Sequence, residues 1–311
     1  MKAIIIDEYG PADKLTESNV AVPTIKDNQV LVELHATSIN PIDWKIRAGY
    51  LKDNIPFEFP IILGWDAAGI IKEIGSNVTD FTVGDRVFAR PATTANGTYA
   101  EYVPVEEDLL AKLPENITFD EAAAVPLAGL TAWQCLVDFS EVKEGDKVLI
   151  HAGAGGVGSF AIQIAKHFGA YVASTASEKN KALLKELGVD EFINYKEEDF
   201  SDKLSDYDIV VDTMGGKIQE KSFKVLKNGG KLVSIVQAPN KELATEKDIK
   251  ADSIWLKENG KQLSEIAELM EKEVIKPVIG NTFPLSEEGL RKAHELSETH
   301  HAKGKIIIKI K

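Results

Sequence analysis

A glycine-rich octapeptide near the middle of the chain constrains its fold more than any other feature. It runs from His151 to Gly158 and reads His-Ala-Gly-Ala-Gly-Gly-Val-Gly. Gly153, Gly155 and Gly158 have the G-x-G-x-x-G spacing, and they lie between an apolar strand pattern and a helix pattern. In that setting Gly153 permits a tight turn, Gly155 permits close approach of a pyrophosphate, and Gly158 permits the helix to pack on the strand. The pattern predicts a dinucleotide-binding loop.

The helix that follows this loop begins with unpaired backbone N–H groups at the positive end of its dipole. We therefore expect Gly155, Gly156 and Val157 to bind the pyrophosphate of a dinucleotide. The alternative is that the glycines form a purely structural turn.

The end of the next predicted strand bears on the choice between NAD and NADP. An NAD site usually has Asp or Glu there, which binds the ribose 2′-hydroxyl. This chain has Thr175 and Ser177, followed by Lys181, and these side chains would bind a 2′-phosphate that a carboxylate would repel. We therefore predict NADPH as the cofactor. Glu178 argues for the alternative, NAD, but it also fits as an acidic residue in the first turn of a helix.

Strand patterns dominate the first third of the chain. Strands are predicted at residues 2–6, 30–39, 68–74, 86–89 and 99–103, separated by turn residues, and a short helix is predicted at 41–47. Many short strands with few helices are typical of a closed or partly closed barrel.

Strands and helices alternate after a predicted capping box at Thr118 and Glu121. Strands are predicted at 147–151, 170–175, 191–194, 208–212 and 231–236, and helices at 121–137 (kinked at Pro126), 155–168, 178–187, 217–226 and 262–272. This alternation predicts a doubly wound parallel sheet with helices on both faces. Residues 242–252 are charged and predict a surface loop. The strands predicted at 278–283 and 305–310 cannot form a core alone, so we expect them to rejoin the first domain.

Composition excludes several classes of function. The 311 residues correspond to about two domains, and 36 basic against 49 acidic residues give a net charge of −13. Such a charge disfavours nucleic acid as a partner. Cys135 is the only cysteine, which excludes an intramolecular disulfide and a Cys-cluster zinc site and fits a reducing compartment. The apolar stretch at the start is too short for a signal peptide, and no stretch approaches the ~20 residues of a membrane span. We expect a cytoplasmic protein with no membrane partner.

Several segments, taken in order, resemble a known family. They include residues 38–43 (Ser-Ile-Asn-Pro-Ile-Asp), 64–69 (Gly-Trp-Asp-Ala-Ala-Gly), 128–133 (Ala-Gly-Leu-Thr-Ala-Trp) and 303–306 (Lys-Gly-Lys-Ile). With the glycine loop, they resemble the medium-chain dehydrogenase/reductase superfamily and, within it, the zinc-independent quinone oxidoreductase and enone reductase group. The resemblance covers nearly the whole chain and implies an α/β protein. Its parts are a GroES-like β-barrel catalytic domain at residues 1–120, completed by 277–311, and a Rossmann domain at 121–276. It also implies a homodimer.

The same resemblance indicates that no metal is required. Zinc-dependent relatives have a cysteine ligand where this chain has Asn40, and Gly-His-Glu where it has Gly64-Trp65-Asp66. Neither replacement supplies the thiolate or imidazole ligands that tetrahedral zinc prefers. The four-cysteine lobe of those relatives is also missing. We therefore expect no metal site.

Without a Lewis acid, hydride addition to a conjugated acceptor is easier than alcohol oxidation, because conjugation spreads the developing negative charge. The resemblance implies that Asn40, Asp43 and Thr131 line the nicotinamide and substrate cleft. It places Lys45, Tyr50 and Trp65 near the mouth of that cleft, where Lys45 or Tyr50 could donate a proton to a substrate oxygen. Asp43 has an alternative interpretation as a residue that only caps the short helix after Pro41.

The resemblance adds Tyr195 to the adenosine end, because the family has a tyrosine after the next strand. In some relatives a lysine occupies the position of Asn180, which leaves open which lysine meets the 2′-phosphate. Together these features predict NADPH-dependent reduction of a small-molecule quinone or α,β-unsaturated carbonyl. Two alternatives are an enoyl-thioester reductase on the same fold and an NADPH-binding sensor with incidental turnover.

Overall fold

The computed structural model describes residues 1–311, and its contacts divide the chain into two compact units. The first unit contains Met1–Leu130 and Glu258–Lys311, and the second contains Thr131–Lys257. The expected domain boundaries lay after residues 120 and 276. The second boundary differs because the helix starting at Gly260 packs on the first unit, where a Cβ on Gly260 would lie 2.5 Å from the backbone oxygen of Leu110.

The N-terminal part of the chain is mostly β-structure. Its elements are β1 (Lys2–Ile6), β2 (Thr16–Asn19), β3 (Gln29–Ile39), α1 (Pro41–Arg47), β4 (Ile61–Ile62), β5 (Ala67–Ile74), β6 (Arg86–Ala89), β7 (Tyr102–Glu106), β8 (Leu110–Lys112), α2 (Phe119–Ala123) and α3 (Pro126–Trp133). Helix α1 and four of the five strands predicted in this region are confirmed to within one residue at each end.

The strand predicted at 99–103 is wrong in its position. Tyr99 donates its backbone N–H to Leu63 O at 3.0 Å, and Ala100 forms an isolated bridge with Ala3. These two residues therefore contact the sheet of β1, and the chain joins β3 only from Tyr102 onward. The predicted helix at 121–137 also differs, because the chain breaks at Pro126 and residues Gln134–Phe139 form a π-helical segment.

The second unit contains a regular alternation of strands and helices. Its elements are β9 (Lys147–Ile150), α4 (Gly156–His167), β10 (Tyr171–Ala176), α5 (Lys181–Glu186), β11 (Glu191–Asn194), α6 (Phe200–Lys203), β12 (Tyr207–Asp212), α7 (Gly216–Val225), β13 (Leu226–Ser234), α8 (Lys241–Glu246) and β14 (Lys250–Ser253). The six strands are parallel, in the order β11-β10-β9-β12-β13-β14. This is the strand order of the Rossmann fold, which confirms the predicted doubly wound sheet.

The surface loop predicted at 242–252 is wrong. The Asn240 side chain accepts hydrogen bonds from Glu242 N and Leu243 N and so caps α8. Strand β14 then pairs with β13 as the last strand of the sheet. Its charged residues suit an edge position, where side chains remain exposed. Because this composition is also typical of a surface loop, the sequence pattern did not predict the strand.

The C-terminal segment contains α9 (Gly260–Glu271), β15 (Ile279–Pro284), α10 (Glu287–Glu298) and β16 (Lys305–Lys309). Strand β16 pairs antiparallel with β3 and thereby joins the seven-stranded sheet β15-β16-β3-β5-β6-β8, in which β7 also pairs with β3. A second sheet contains β2, β1 and β4. Helix α10 was not predicted; Ser286 caps it, and it buries Leu290, Ala293 and His294.

Strand β3 is buried along almost its whole length because it has neighbours on both edges. The first unit has two apolar clusters, one around Ile4, Trp65 and Leu290 and one around Val32 and Ile71. No helix in the chain is both long enough and apolar enough to cross a lipid bilayer.

Candidate cofactor and substrate sites

The glycine loop lies between β9 and α4, as predicted. Its left-handed turn is made by Ala152, with φ of +51°, rather than by a glycine. Gly153 is required for a different reason, because a Cβ at this position would overlap the Ser174 hydroxyl on β10 and lie 2.8 Å from Ile162 Cδ1. The role predicted for Gly153 is therefore corrected from turning to close packing.

Gly155 and Gly158 differ sharply in the space around them. A Cβ on Gly158 would lie 2.8 Å from Gly153 Cα and closer still to Ala152 O, so this glycine permits the helix to pack on the loop. A Cβ on Gly155 would meet only Ala152 O, at 3.3 Å. Gly155 is the N-cap of α4 in an extended conformation. The open space in front of it and the first amides of α4, at Gly156 and Val157, is suited to an anion.

Thr175 holds the loop from the neighbouring strand. Its hydroxyl accepts a hydrogen bond from Ala152 N at 3.1 Å, and its backbone oxygen accepts one from Gly153 N at 3.1 Å. Thr175 is buried, so the structure gives it a role within the loop. Its contact with the cofactor remains a prediction.

His151 fixes the direction of the Thr175 hydroxyl. Ser222 Oγ donates to Ile218 O at 2.8 Å, so it accepts from His151 Nε2 at 2.9 Å. His151 Nδ1 is then the acceptor for the Thr175 hydroxyl at 3.3 Å. Burial lowers the pKa of His151 to about 4, which keeps the ring neutral and this direction of hydrogen bonding intact.

The residues predicted at the adenosine end follow β10 and β11. Tyr195 is half exposed, and its N–H donates to Ala176 O at 3.3 Å, which places it beside Ser177. Lys181 Nζ lies 3.2 Å from the carboxylate of Glu178, and both side chains are exposed. An exposed ion pair contributes about 0–1 kcal/mol, so Lys181 can leave Glu178 for a phosphate at little cost.

In the first unit, the side chain of Asn40 is fixed by two charged groups. Its Nδ2 donates to Asp66 Oδ2 at 2.7 Å, and its Oδ1 accepts a short hydrogen bond from Lys305 Nζ. Lys305 also donates to Ile39 O at 3.1 Å and lies 3.3 Å from Asp66 Oδ2. All of these side chains are buried, so the amide of Asn40 has one orientation.

Asp66 has further donors that compensate its buried charge. Ser38 Oγ donates to Asp66 Oδ2 at 2.6 Å, and Leu127 N donates to Asp66 Oδ1 at 2.8 Å. Leu127 belongs to the first turn of α3, where the helix dipole favours an anion. The Asp66–Lys305 pair is therefore a satisfied buried ion pair.

The residues that replace zinc ligands do not fit a zinc ion. Lys305 places a positive charge against the oxygens of Asn40 and Asp66, and the indole N–H of Trp65 donates to Thr94 O at 3.1 Å. No three His, Cys, Asp or Glu side chains converge closely enough to ligate a metal ion. An ammonium ion, a carboxamide and one carboxylate do not form the set of nitrogen and sulfur ligands that zinc prefers.

Asp43 is completely buried beneath Asn40. Its Oδ2 accepts hydrogen bonds from Asn40 N and from the Tyr99 hydroxyl, each at 2.8 Å, and its Oδ1 has no partner. The bond from Asn40 N is the helix-capping geometry of the alternative interpretation. Burial raises the pKa of Asp43 to about 7, although the hydrogen bonds from Asn40 and Tyr99 lower it.

A chain of contacts that the sequence did not reveal continues from Tyr99 to α10. Tyr99 OH lies 2.9 Å from His294 Nε2, and His294 Nδ1 lies 3.0 Å from Arg47 Nη1. Arg47 then pairs with Glu298 at 2.6 Å. Burial and Arg47 lower the pKa of His294 to about 3. Only the capping residue Ser286 and the helical spacing of Leu290 and His294 could have pointed to this helix.

The remaining predicted catalytic residues are Lys45, Tyr50 and Thr131. Lys45 Nζ lies over the ring of Trp44 at 5.7 Å. Tyr50 is 73% exposed and packs edge-on against the same ring. Thr131 is buried within α3. Their contacts with a substrate stay predictions.

Comparisons with known proteins agree with this architecture. Residues 26–115 match the model of the alcohol dehydrogenase GroES-like domain, and residues 187–308 match that of a zinc-binding dehydrogenase. The chain is 38% identical over 317 residues to an NADPH-dependent alkenal/one oxidoreductase from Arabidopsis thaliana, covering 99% of this chain and 79% of that one.

Solved structures give the same result. The quinone oxidoreductase of Coxiella burnetii has a TM-score of 0.90 at 39% identity, covering 100% of this chain and 99% of that one. The Escherichia coli quinone oxidoreductase in complex with NADPH has a TM-score of 0.89 at 29% identity, covering both chains completely. With its GroES-like unit and its Rossmann unit, the chain belongs to the quinone oxidoreductase and alkenal/one oxidoreductase group of the medium-chain dehydrogenase/reductase superfamily.

Proposed function

We propose that this protein is an NADPH-dependent reductase of quinones or α,β-unsaturated carbonyl compounds. The observation that carries this function is the glycine loop, whose open Gly155 position adjoins the free amides of α4. The relatives that act on alkenals, enones and quinones and the neighbour that binds NADPH support the same conclusion.

The second unit binds the cofactor. Gly156 and Val157 would donate backbone N–H groups to the pyrophosphate, since a helix N-terminus favours anions. The N–H of Gly155 already donates to Ala152 O at 2.9 Å, so Gly155 contributes the open space for the pyrophosphate rather than a donor. Ser177, Lys181 and Tyr195 bind the adenosine end, and Lys181 exchanges Glu178 for the 2′-phosphate. When bound, NADPH supplies a hydride.

The first unit orients the electron-poor acceptor. Asn40 has one Nδ2–H committed to Asp66, which leaves its second Nδ2–H to donate to the acceptor oxygen. Lys305 polarises this amide through Oδ1, so the donor strengthens as negative charge develops on the acceptor. Asp43 supports this site by accepting the hydrogen bond from Asn40 N. Lys45 or Tyr50 donates the proton that reduction consumes. In the second unit, Thr131 contributes to the binding of the nicotinamide.

This chemistry is independent of zinc. The positive charge that zinc supplies in metal-dependent relatives is replaced by the Lys305 ammonium, which adjoins Asn40 and Asp66. Conjugation in the acceptor spreads the remaining charge, so no metal alkoxide is needed.

The enzyme acts as a homodimer in a reducing compartment, the cytoplasm. Strand β14 ends the parallel sheet and pairs only with β13, so its outer edge carries backbone groups that a second copy can pair with. The single buried Cys135, whose pKa is raised by burial, fits a reducing environment.

Steady-state oxidation of NADPH tests this function. The enzyme should consume NADPH with a quinone and with an enone but not with the saturated ketone of the same carbon skeleton, and treatment with a chelator should leave both rates unchanged. Tight NADPH binding without turnover of any quinone or enone would instead support a sensor.

A further inference from the structure

A chain of four side chains, three of them buried and one exposed, connects α10 to the start of α1. The order is Glu298, Arg47, His294 and Tyr99, and the chain ends at Asp43. His294 and Tyr99 are 195 residues apart in sequence, so only the tertiary fold brings them together. Each successive donor–acceptor distance lies between 2.6 and 3.0 Å.

The hydrogen bonds of this chain have only one consistent direction. Arg47 can only donate, so His294 Nδ1 accepts its N–H and the ring proton of the neutral imidazole is on Nε2. The Nε2–H then donates to the Tyr99 oxygen. The Tyr99 hydroxyl proton is therefore directed to Asp43 Oδ2.

The carboxylate of Asp43 depends on few donors. Oδ1 accepts no hydrogen bond, whereas Oδ2 accepts two, from Asn40 N and from the Tyr99 hydroxyl. The charged groups that face Asp43 from other elements are Asp66, Lys305 and Arg90, of which Asp66 opposes its ionisation. Loss of the Tyr99 hydroxyl thus removes one of two donors to a buried carboxylate.

We propose that Tyr99 and His294 are positioning residues for the reduction. They act through the Asp43 carboxylate, which holds the backbone of Asn40, the residue assigned above to the acceptor oxygen. This role rests on the proposed function. Arg47 fixes the tautomer of His294, and a charge-assisted hydrogen bond to the ionised carboxylate is stronger than one to its protonated form.

Tyr99→Phe tests this role, with Tyr102→Phe as the matched control. Tyr102 lies in the same unit, but its hydroxyl donates to Glu33 at 3.2 Å. Tyr99→Phe should lower kcat about tenfold, as expected for loss of a hydrogen bond to a charged group, with the KM for NADPH unchanged. The acidic limb of its pH–rate profile should move up by about one unit, because the protonated form of Asp43 is then favoured. Equal kcat values and equal pH profiles in the two variants would overturn the proposal.

His294 provides a second pair of variants. His294→Gln keeps an amide that can donate to Tyr99, so it should retain the wild-type pH profile, whereas His294→Ala should shift it as Tyr99→Phe does. This pair gives the test if Tyr99→Phe fails to fold. Equal profiles in both His294 variants would contradict the proposed direction of the hydrogen bonds.

A titration of the Asp43 carboxyl carbon by NMR separates this proposal from the proposed function. In protein labelled with ¹³C-aspartate, and with Asp43→Asn used for assignment, the midpoint should rise in Tyr99→Phe and stay unchanged in Tyr102→Phe. A protein that reduces no quinone or enone but shows this shift would refute the enzymatic function and leave the chain of hydrogen bonds intact. An unchanged midpoint in Tyr99→Phe would refute the chain itself.

Discussion

Replacement of Gly155 by valine should abolish NADPH binding while leaving the chain folded. The valine side chain would meet only Ala152 O, at 3.3 Å for its Cβ, and otherwise project into the space in front of α4. Gly155 has a φ of −82°, which valine adopts without strain. The side chain therefore costs the fold little but occupies the place assigned to the pyrophosphate.

The size of the effect follows from the amides that the pyrophosphate would lose. A hydrogen bond to a charged group contributes about 1.5–3 kcal/mol, so losing two costs about 3–6 kcal/mol. That corresponds to an increase in the Kd for NADPH of about 10²- to 10⁴-fold. Replacement of the N-cap residue should reduce the free energy of unfolding by no more than about 1 kcal/mol.

Fluorescence titration with NADPH and urea unfolding measure the two quantities separately. Gly158→Ala is the matched control, because its Cβ would press on Gly153 Cα and Ala152 O and should lower the free energy of unfolding by about 1–3 kcal/mol. A Gly155→Val protein that binds NADPH with the wild-type Kd would refute the assignment of the loop to the pyrophosphate.

Three further results are expected. Lys181→Glu should raise the Kd for NADPH about tenfold or more and change that for NADH little, with the exposed Lys185→Glu as control; equal losses for both cofactors would argue against a 2′-phosphate contact. Lys305→Met should lower the free energy of unfolding by about 3–5 kcal/mol, because it leaves the Asp66 carboxylate buried without its partner; the exposed Lys309→Met should have little effect, and similar values for the two would contradict the buried pair. The free energy of unfolding should fall as the pH decreases from 6.5 to 4. His151 and His294 have pKa values near 4 and 3 in the fold, so over this range each binds a proton only on unfolding. Asp43, with a pKa near 7 in the fold, instead releases a proton on unfolding, which offsets the effect of one histidine. The net slope is about 1.4 kcal/mol per pH unit, and urea unfolding that is independent of pH over this range would contradict it.

The loop and the parallel sheet could be predicted because their signals are local. The spacing of Gly153, Gly155 and Gly158 lies within six residues, and each strand of the second unit is a short apolar run with turn residues beside it. The spacing could not show which steric or conformational constraint requires glycine at each of these positions. The turn at Ala152 and the crowding of Gly153 by Ser174 depend on the neighbouring strand.

The network around Asn40 could not be predicted because its members come from distant parts of the chain. Lys305 is 265 residues from Asn40, and His294 is 247 residues from Arg47. Neither pair follows a motif, since a buried ion pair or histidine has no characteristic spacing when the partners lie on separate elements. Strand β14 could not be predicted for a local reason. It is an edge strand, and its charged composition resembles that of a loop.

Transfer of deuterium from NADPH labelled at C4 to an α,β-unsaturated ketone tests the central claim most directly. If Lys305, Asn40 and conjugation in the acceptor stabilise the developing negative charge without a metal, the label should appear at the β-carbon of a saturated ketone, as seen by NMR of the product. Deuterium at the carbonyl carbon of an allylic alcohol would contradict the account, because it would show the carbonyl reduction that is typical of a metal-dependent alcohol dehydrogenase.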